Sequence, residues 1–142
     1  MYFESHAHYD DEAFNEDRDE LLLSLKDSGI GYVIQSAANI SSSKAGIELA
    51  KKYDFIYCAI GVHPHDTEEL DEEKFKELKS LVAEEKVVAI GEIGLDYYYD
   101  NAPRDLQKYW FERQMELSKE VNLPVIIHSR EASQDTFDLI EK

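Results

Sequence analysis

An internal disulfide is excluded, because Cys58 is the only cysteine among the 142 residues. A lone thiol inside the apolar run Phe55–Ile60 reads as a core residue and fits a reducing, cytoplasmic compartment. No apolar run approaches the roughly 20 residues of a membrane span. The N-terminus, Met1-Tyr2-Phe3-Glu4-Ser5-His6, lacks a basic stretch followed by an apolar one, so no signal peptide is expected. Positive charge is scarce: 15 Lys and Arg stand against 31 Asp and Glu, a formal net charge of −16. Most acids fall in Asp10–Glu20, Glu68–Glu77 and Glu84–Glu85, where solvated helix faces and caps account for them. Such a surface repels phosphate backbones and excludes purely electrostatic binding of nucleic acid. An anionic substrate would need locally bound cations.

Apolar content of 43% and charged content of 32% is a globular profile, and the length suits a single domain over 1–142 with a real core. Tyr2–His8 reads as a strand. Asn15 can cap a helix over Glu16–Ser28, with Gly29 past its end. Tyr32–Ser36 is the second strand. A helix capped within Ser41–Ser43 follows, running to about Lys52. Phe55–Ile60 is the third strand, and Asp71 caps a helix through Glu85. Val87–Ile90 is the fourth strand. A tyrosine-rich loop over Asp96–Ala102 leads to a helix from Pro103 to Val121. Pro124–His128 is the fifth strand and Ala132–Glu141 the last helix. Five strand–helix units without hairpin signals predict a parallel sheet covered by helices. No second domain, linker, low-complexity segment or solenoid period interrupts them. The stripe Phe111, Met115 and Ser118 reads as core packing.

Val87–Asp96, Val-Val-Ala-Ile-Gly-Glu-Ile-Gly-Leu-Asp, stands at the centre of this pattern. Its apolar start suits a strand buried on both faces. Gly91 and Gly94 then bracket Glu92, leaving room for another group to come close. A carboxylate where a buried strand ends is costly unless something positive meets it. The other unusual residues share that placement. His6 and His8 end the first strand, two apart and so on one side. His63 follows the third strand and His128 ends the fifth. Strand C-terminal ends are where parallel α/β folds build active sites. Imidazoles around a buried carboxylate are the ingredients of a metal centre.

Each residue alone has a plainer account. A single histidine near a core is more often hydrogen-bonded than metallated. Glu92 could pair with Arg130 as a buried ion pair. His63 and His65 could be loop residues beside Pro64. Tyr97, Tyr98 and Tyr99 could stack nucleobases, although a loop covering the mouth is the simpler reading. Four strand-end placements together are harder to explain by chance.

Four motifs carry a resemblance: Ser5-His6-Ala7-His8-Tyr9-Asp10, Gly61-Val62-His63-Pro64-His65, Gly91-Glu92-Ile93-Gly94-Leu95-Asp96-Tyr97, and Leu123-Pro124-Val125-Ile126-Ile127-His128-Ser129-Arg130-Glu131-Ala132. In order and spacing the chain resembles the TatD family of metal-dependent deoxyribonucleases over its whole length. The resemblance implies a (β/α)₈ barrel that hydrolyses DNA phosphodiester bonds with divalent metals. It implies that His6 and His8 bind one metal, that Glu92 bridges two, and that His128 binds the second. Glu4 stands where the family commonly has Asp, which leaves these ligands intact. Two further ligands of the family, a histidine and an aspartate from later strands, would lie beyond Lys142. An eight-unit barrel takes about 250 residues, so five of eight units are expected here, as from a truncated product.

The chemistry of the residues fits that likeness. Two metals bridged by one carboxylate can clamp a phosphodiester and activate water. Arg130 could grip a phosphate oxygen bidentately. His63 could donate a proton to the leaving oxygen or bind phosphate. Mixed imidazole and carboxylate ligands suit Mg²⁺, Mn²⁺ or Zn²⁺. Two other classes stay open: an amidohydrolase-type enzyme acting on a small ester or amide, and an inactive or partner-dependent barrel fragment. Against the first stands the absence of a strand-end lysine that could be carboxylated to bridge metals. The second predicts self-association through exposed strand edges.

Overall fold

The alternation expected from the sequence runs through the whole chain. The computed structural model describes residues 1–142. Five strands, β1 (Tyr2–Ala7), β2 (Ile30–Ser36), β3 (Ile56–Ile60), β4 (Val87–Asp96) and β5 (Val125–Arg130), lie side by side in that order. All four neighbouring pairs are parallel. The helices α1 (Arg18–Asp27), α2 (Ile40–Lys52), α3 (Glu72–Leu81) and α4 (Arg104–Val121) connect them, and α5 (Ser133–Glu141) follows β5. Sequential parallel strands joined by right-handed crossovers place every helix on one face. This is the arrangement of a (β/α)₈ barrel over five of its units.

The two faces of the sheet differ accordingly. Gln35 and Cys58 pack against Gly46 of α2, where a Cβ would come within 3.3 and 3.6 Å of them. Val33 and Ile56, two residues away on the same strands, share that face and are fully buried. Burial pushes the Cys58 thiol up to about 12, as expected of an inert core residue. Phe111 and Ser118 are buried too, in line with their reading as core. The other face carries Phe3, Tyr32, Ile34, Tyr57 and Val88, which line an open apolar groove. Phe3 and Tyr32 are exposed there. No helix is long and apolar enough to cross a membrane.

Several boundaries differ from expectation for local reasons. The first helix begins at Arg18, not after Asn15. The Arg18 guanidinium donates to the carbonyls of Tyr9, Asp10 and Asp11 and to Asn15 Oδ1, so the Asn15 side chain is engaged elsewhere. Glu12–Phe14 forms a 3₁₀ turn capped by Asp11. Asn39, not a serine of Ser41–Ser43, caps α2; its side chain accepts from the Ser42 N–H while Ser42 Oγ accepts from the Asn39 N–H. Asp71 caps α3 as expected, but the helix ends at Leu81 instead of Glu85.

The fourth strand departs furthest. It does not stop at Ile90 but runs to Asp96, so Glu92 lies within it. Gly91 and Gly94 leave the room expected of them, and β5 is the group that comes close. A Cβ on Gly91 would lie 2.7 Å from Ile126 Cβ. One on Gly94, whose φ is +141°, would run into the His128 carbonyl. The two strands then pair in register, Gly94 with His128 and Asp96 with Arg130.

Candidate metal centre

The C-terminal ends of β1, β4 and β5, with the loop after β3, bring four histidines around Glu92. His6 leaves β1 just before its end, and His8 lies one residue past it. His6 Nε2 is 3.1 Å and His8 Nε2 3.4 Å from Glu92 Oε1, and the two imidazole nitrogens are 3.2 Å apart. The other carboxylate oxygen, Oε2, faces His128 Nδ1 at 3.2 Å and His63 Nε2 at 3.9 Å. Glu92 is thus shared between two donor sets, His6, His8 and Glu92 on one side and His63, Glu92 and His128 on the other.

Hydrogen bonds to the outer nitrogens assign the tautomers. His8 Nδ1 donates to the Ser36 carbonyl at 2.9 Å, which leaves Nε2 with a free lone pair toward Glu92. His128 Nε2 donates to Asp96 Oδ2 at 2.9 Å, which leaves Nδ1 free on the Glu92 side. A carboxylate or carbonyl behind the imidazole is the usual support of a metal-binding histidine. His63 differs. Its Nδ1 accepts the His65 backbone N–H at 3.2 Å, so its Nε2 carries the proton and faces the site as a donor.

The electrostatics follow from this packing. Burial opposes ionisation of Glu92, but the imidazoles of His8, His63 and His6 together outweigh it and hold its carboxyl down to about 2. The hydrogen bond to Glu92 raises His8 above the ordinary 6.5, although burial works against it. Burial pulls His63 down to about 4, so it is neutral at neutral pH. A neutral Nε2–H is a hydrogen-bond donor and a poor source of a whole proton.

Arg130 does not approach Glu92 to form the ion pair considered from the sequence. Its guanidinium sits over the rings of Tyr98 and Tyr99, at 4.1 and 5.1 Å. Two residues that sequence reasoning passed over belong to the site. Asp96 is wholly buried. Its Oδ2 accepts from His128 and from His65 Nε2 at 3.0 Å, and its Oδ1 accepts the N–H groups of Tyr98 and Tyr99 at 3.0 and 2.9 Å. Burial works against its charge, yet the Tyr99 N–H, His128 and His65 hold its carboxyl well below the usual range. Period-two spacing from Glu92 through Gly94 to Asp96 was the available signal. Ser36 is the second: its Oγ is the one buried side-chain polar atom without a hydrogen-bond partner.

The donor set fits divalent metal on chemical grounds. Two imidazole nitrogens 3.2 Å apart and a carboxylate oxygen within 3.4 Å of both converge on one point, and a second imidazole group converges on the same carboxylate.

Comparisons with known proteins cover most or all of the chain. The family model described as TatD related DNase matches residues 3–142. A Bacillus subtilis protein named uncharacterized metal-dependent hydrolase YabD is 41% identical over 142 residues, covering 100% of this chain and 56% of that protein. A Cronobacter sakazakii protein named 3'-5' ssDNA/RNA exonuclease TatD is 33% identical over 119 residues, covering 84% and 45%. Among solved structures, the YjjV TatD homologue of Escherichia coli superposes with a TM-score of 0.91 at 30% identity, over 99% of this chain and 55% of that one. The chain therefore spans about half the length of the curated relatives it matches.

Proposed function

The chain belongs to the TatD-related DNase family, and from that premise we propose that it works as a divalent-metal-dependent hydrolase cutting phosphodiester bonds in DNA. One observation carries the reading: each oxygen of the buried Glu92 faces its own group of imidazoles. In this reading residues 1–142 are one domain of a cytoplasmic barrel enzyme. His6, His8 and Glu92 would hold one ion, and Glu92 and His128 a second, with Mg²⁺, Mn²⁺ and Zn²⁺ all compatible with the donors. Ions so bound supply Lewis acidity at a phosphodiester and lower the pKa of water. His63 offers its Nε2–H to a phosphate oxygen, the role its neutral state favours over full proton transfer. Arg130 offers charge to the same anion against a surface of net charge −16. The test compares metal-dependent release of nucleotides from DNA with turnover of small esters and amides. Hydrolysis of the small substrates alone would overturn the nuclease reading.

Metal binding has an expected pH dependence. Glu92 raises His8, so His8 keeps its proton to a higher pH than an ordinary histidine. What that proton contributes to the metal-free fold is present below 6.5 and is lost as pH rises through the raised value. A metal ion has to displace it. Affinity at the His6–His8–Glu92 group should therefore rise with pH. Binding should release about one proton per ion near pH 6 and fewer by about pH 9. Calorimetry in buffers of differing ionisation enthalpy measures this. Constant affinity and no proton release across that range would rule out His8 as a ligand.

Self-association of the 142-residue chain on its own is also expected. β1 and β5 each have one neighbour, so their outer backbone groups are unpaired. The groove of Phe3, Tyr32, Ile34, Tyr57 and Val88 lies open beside them. Light scattering should report species larger than 16.4 kDa. A monodisperse monomer at high concentration would contradict it.

A further inference from the structure

We propose that Tyr98, Tyr99 and Arg130 form a stacking subsite for one unpaired nucleobase, with the Arg130 guanidinium on the phosphate beside it; this rests on the nuclease reading above. The three consecutive tyrosines after β4 divide their work. Tyr97 is tied inward: its hydroxyl donates to Asp135 of α5 at 2.6 Å, and Arg104 covers its ring at 4.1 Å. Tyr98 and Tyr99 turn outward, each 54% exposed, with rings edge to face at 4.8 Å. Their backbone is fixed, because both N–H groups are bound by the buried Asp96. The Arg130 guanidinium lies over one face of Tyr98 at 4.1 Å, so the surface left for a nucleobase is the remainder of the two rings, and every base has a face to offer.

Arg130 supplies the anion-binding partner. Of the four arginines it alone makes no side-chain hydrogen bond. Arg18 binds carbonyls, Arg104 binds Asp100, and Arg113 binds Glu72. The Arg130 guanidinium lies over the Tyr98 ring at 4.1 Å, and Arg130 is exposed. Asp100, the acid on the same loop, is held by Arg104 at 2.9 and 2.8 Å, which mutes its repulsion of phosphate.

Position completes the case. The Tyr99 ring meets His65 edge to face at 5.5 Å, and His65 shares Asp96 with His128. The platform is therefore one side chain removed from the proposed ligands. The other strongly exposed aromatics lie elsewhere: Tyr2 at the start of β1, Phe3 and Tyr32 in the apolar groove, Tyr109 on α4 and Phe137 on α5. A base inside a duplex has both faces occupied and cannot use such a surface, so the subsite selects an unpaired end.

The test uses the full chain with Mg²⁺ and a fluorescein-labelled oligothymidine whose phosphorothioate linkages resist cleavage. Anisotropy compares it with an abasic strand of the same backbone. The thymidine strand should bind about tenfold or more tightly than the abasic one. Tyr98→Ala with Tyr99→Ala should erase that difference, and Tyr98→Phe with Tyr99→Phe should restore it. Arg130→Gln should weaken both strands alike. Equal binding of the two strands by the parent chain overturns the subsite, as does a double alanine variant that still prefers thymidine or a phenylalanine pair that fails to restore the preference. Should such a chain still cut DNA with metal, only the subsite falls. If it neither binds nor cuts any strand, the nuclease reading falls with it.

Discussion

Glu92→Ala should abolish metal-dependent DNA cleavage and lower affinity for both ions by more than about a hundredfold, while the metal-free fold persists. The substitution removes both carboxylate oxygens at once, so neither imidazole group keeps an anionic member. Two donor groups that share one carboxylate should fail together. The fold survives for the opposite reason. Burial of Glu92 is itself unfavourable, and only the surrounding imidazoles offset it. Deleting the carboxylate removes that burden along with the attraction, and His6 and His8 can reach water at a half-exposed edge. The measurements are calorimetric titration with Mn²⁺, a thermal melt and an oligonucleotide cleavage assay. Glu92→Gln separates charge from volume: it fills the same space and should also lose both ions. Near-normal cleavage by Glu92→Ala would end the shared-carboxylate reading.

The gross plan of the fold was legible because each helix and strand carries its own period, and strict alternation of the two leaves little choice of topology. The four residues proposed as metal ligands stood out in the sequence for a related reason. A histidine or glutamate at the end of an apolar strand has no packing role, so it stands out against its neighbours. Asp96 did not stand out. A strand expected to end at Ile90 cannot carry Asp96 on the face of Glu92. The room left by Gly91 and Gly94 was legible, but not that β5 fills it, with Ile126 and the His128 carbonyl where a Cβ would sit. The stacking of Arg130 on Tyr98 was hidden likewise. It depends on the pairing of Asp96 with Arg130, a register between strands about thirty residues apart in sequence. Asn15 failed as a helix cap because Arg18 claims its side chain, a contact that local propensity does not weigh.

Asp96→Asn is expected to loosen the second donor group and leave the first nearly untouched. Asp96 accepts from four donors: the N–H groups of Tyr98 and Tyr99 on one oxygen, and His65 and His128 on the other. An asparagine has one oxygen. Whichever way it turns, its amide N–H₂ faces two other donors, and buried groups go unpaired. Breaking a wholly buried charged network in this way costs on the order of 2–4 kcal/mol, which a thermal melt of the metal-free chain would register. The effect on metal separates position from mere stability. His128 Nε2 loses its anionic acceptor, so its ring is free to rotate or to change tautomer. Affinity at the Glu92–His128 group should fall about 10- to 100-fold. His8 holds its own anchor, the Ser36 carbonyl, and the His6–His8 group should bind within a few-fold of the parent. A titration resolving two classes of site would show one weakened and one preserved. His65→Ala removes another donor to Asp96 without touching His128 and serves as the control; it should spare both classes. Equal weakening of both groups by Asp96→Asn would mean that Asp96 supports the end of the sheet in general and does not specifically hold the imidazole of His128.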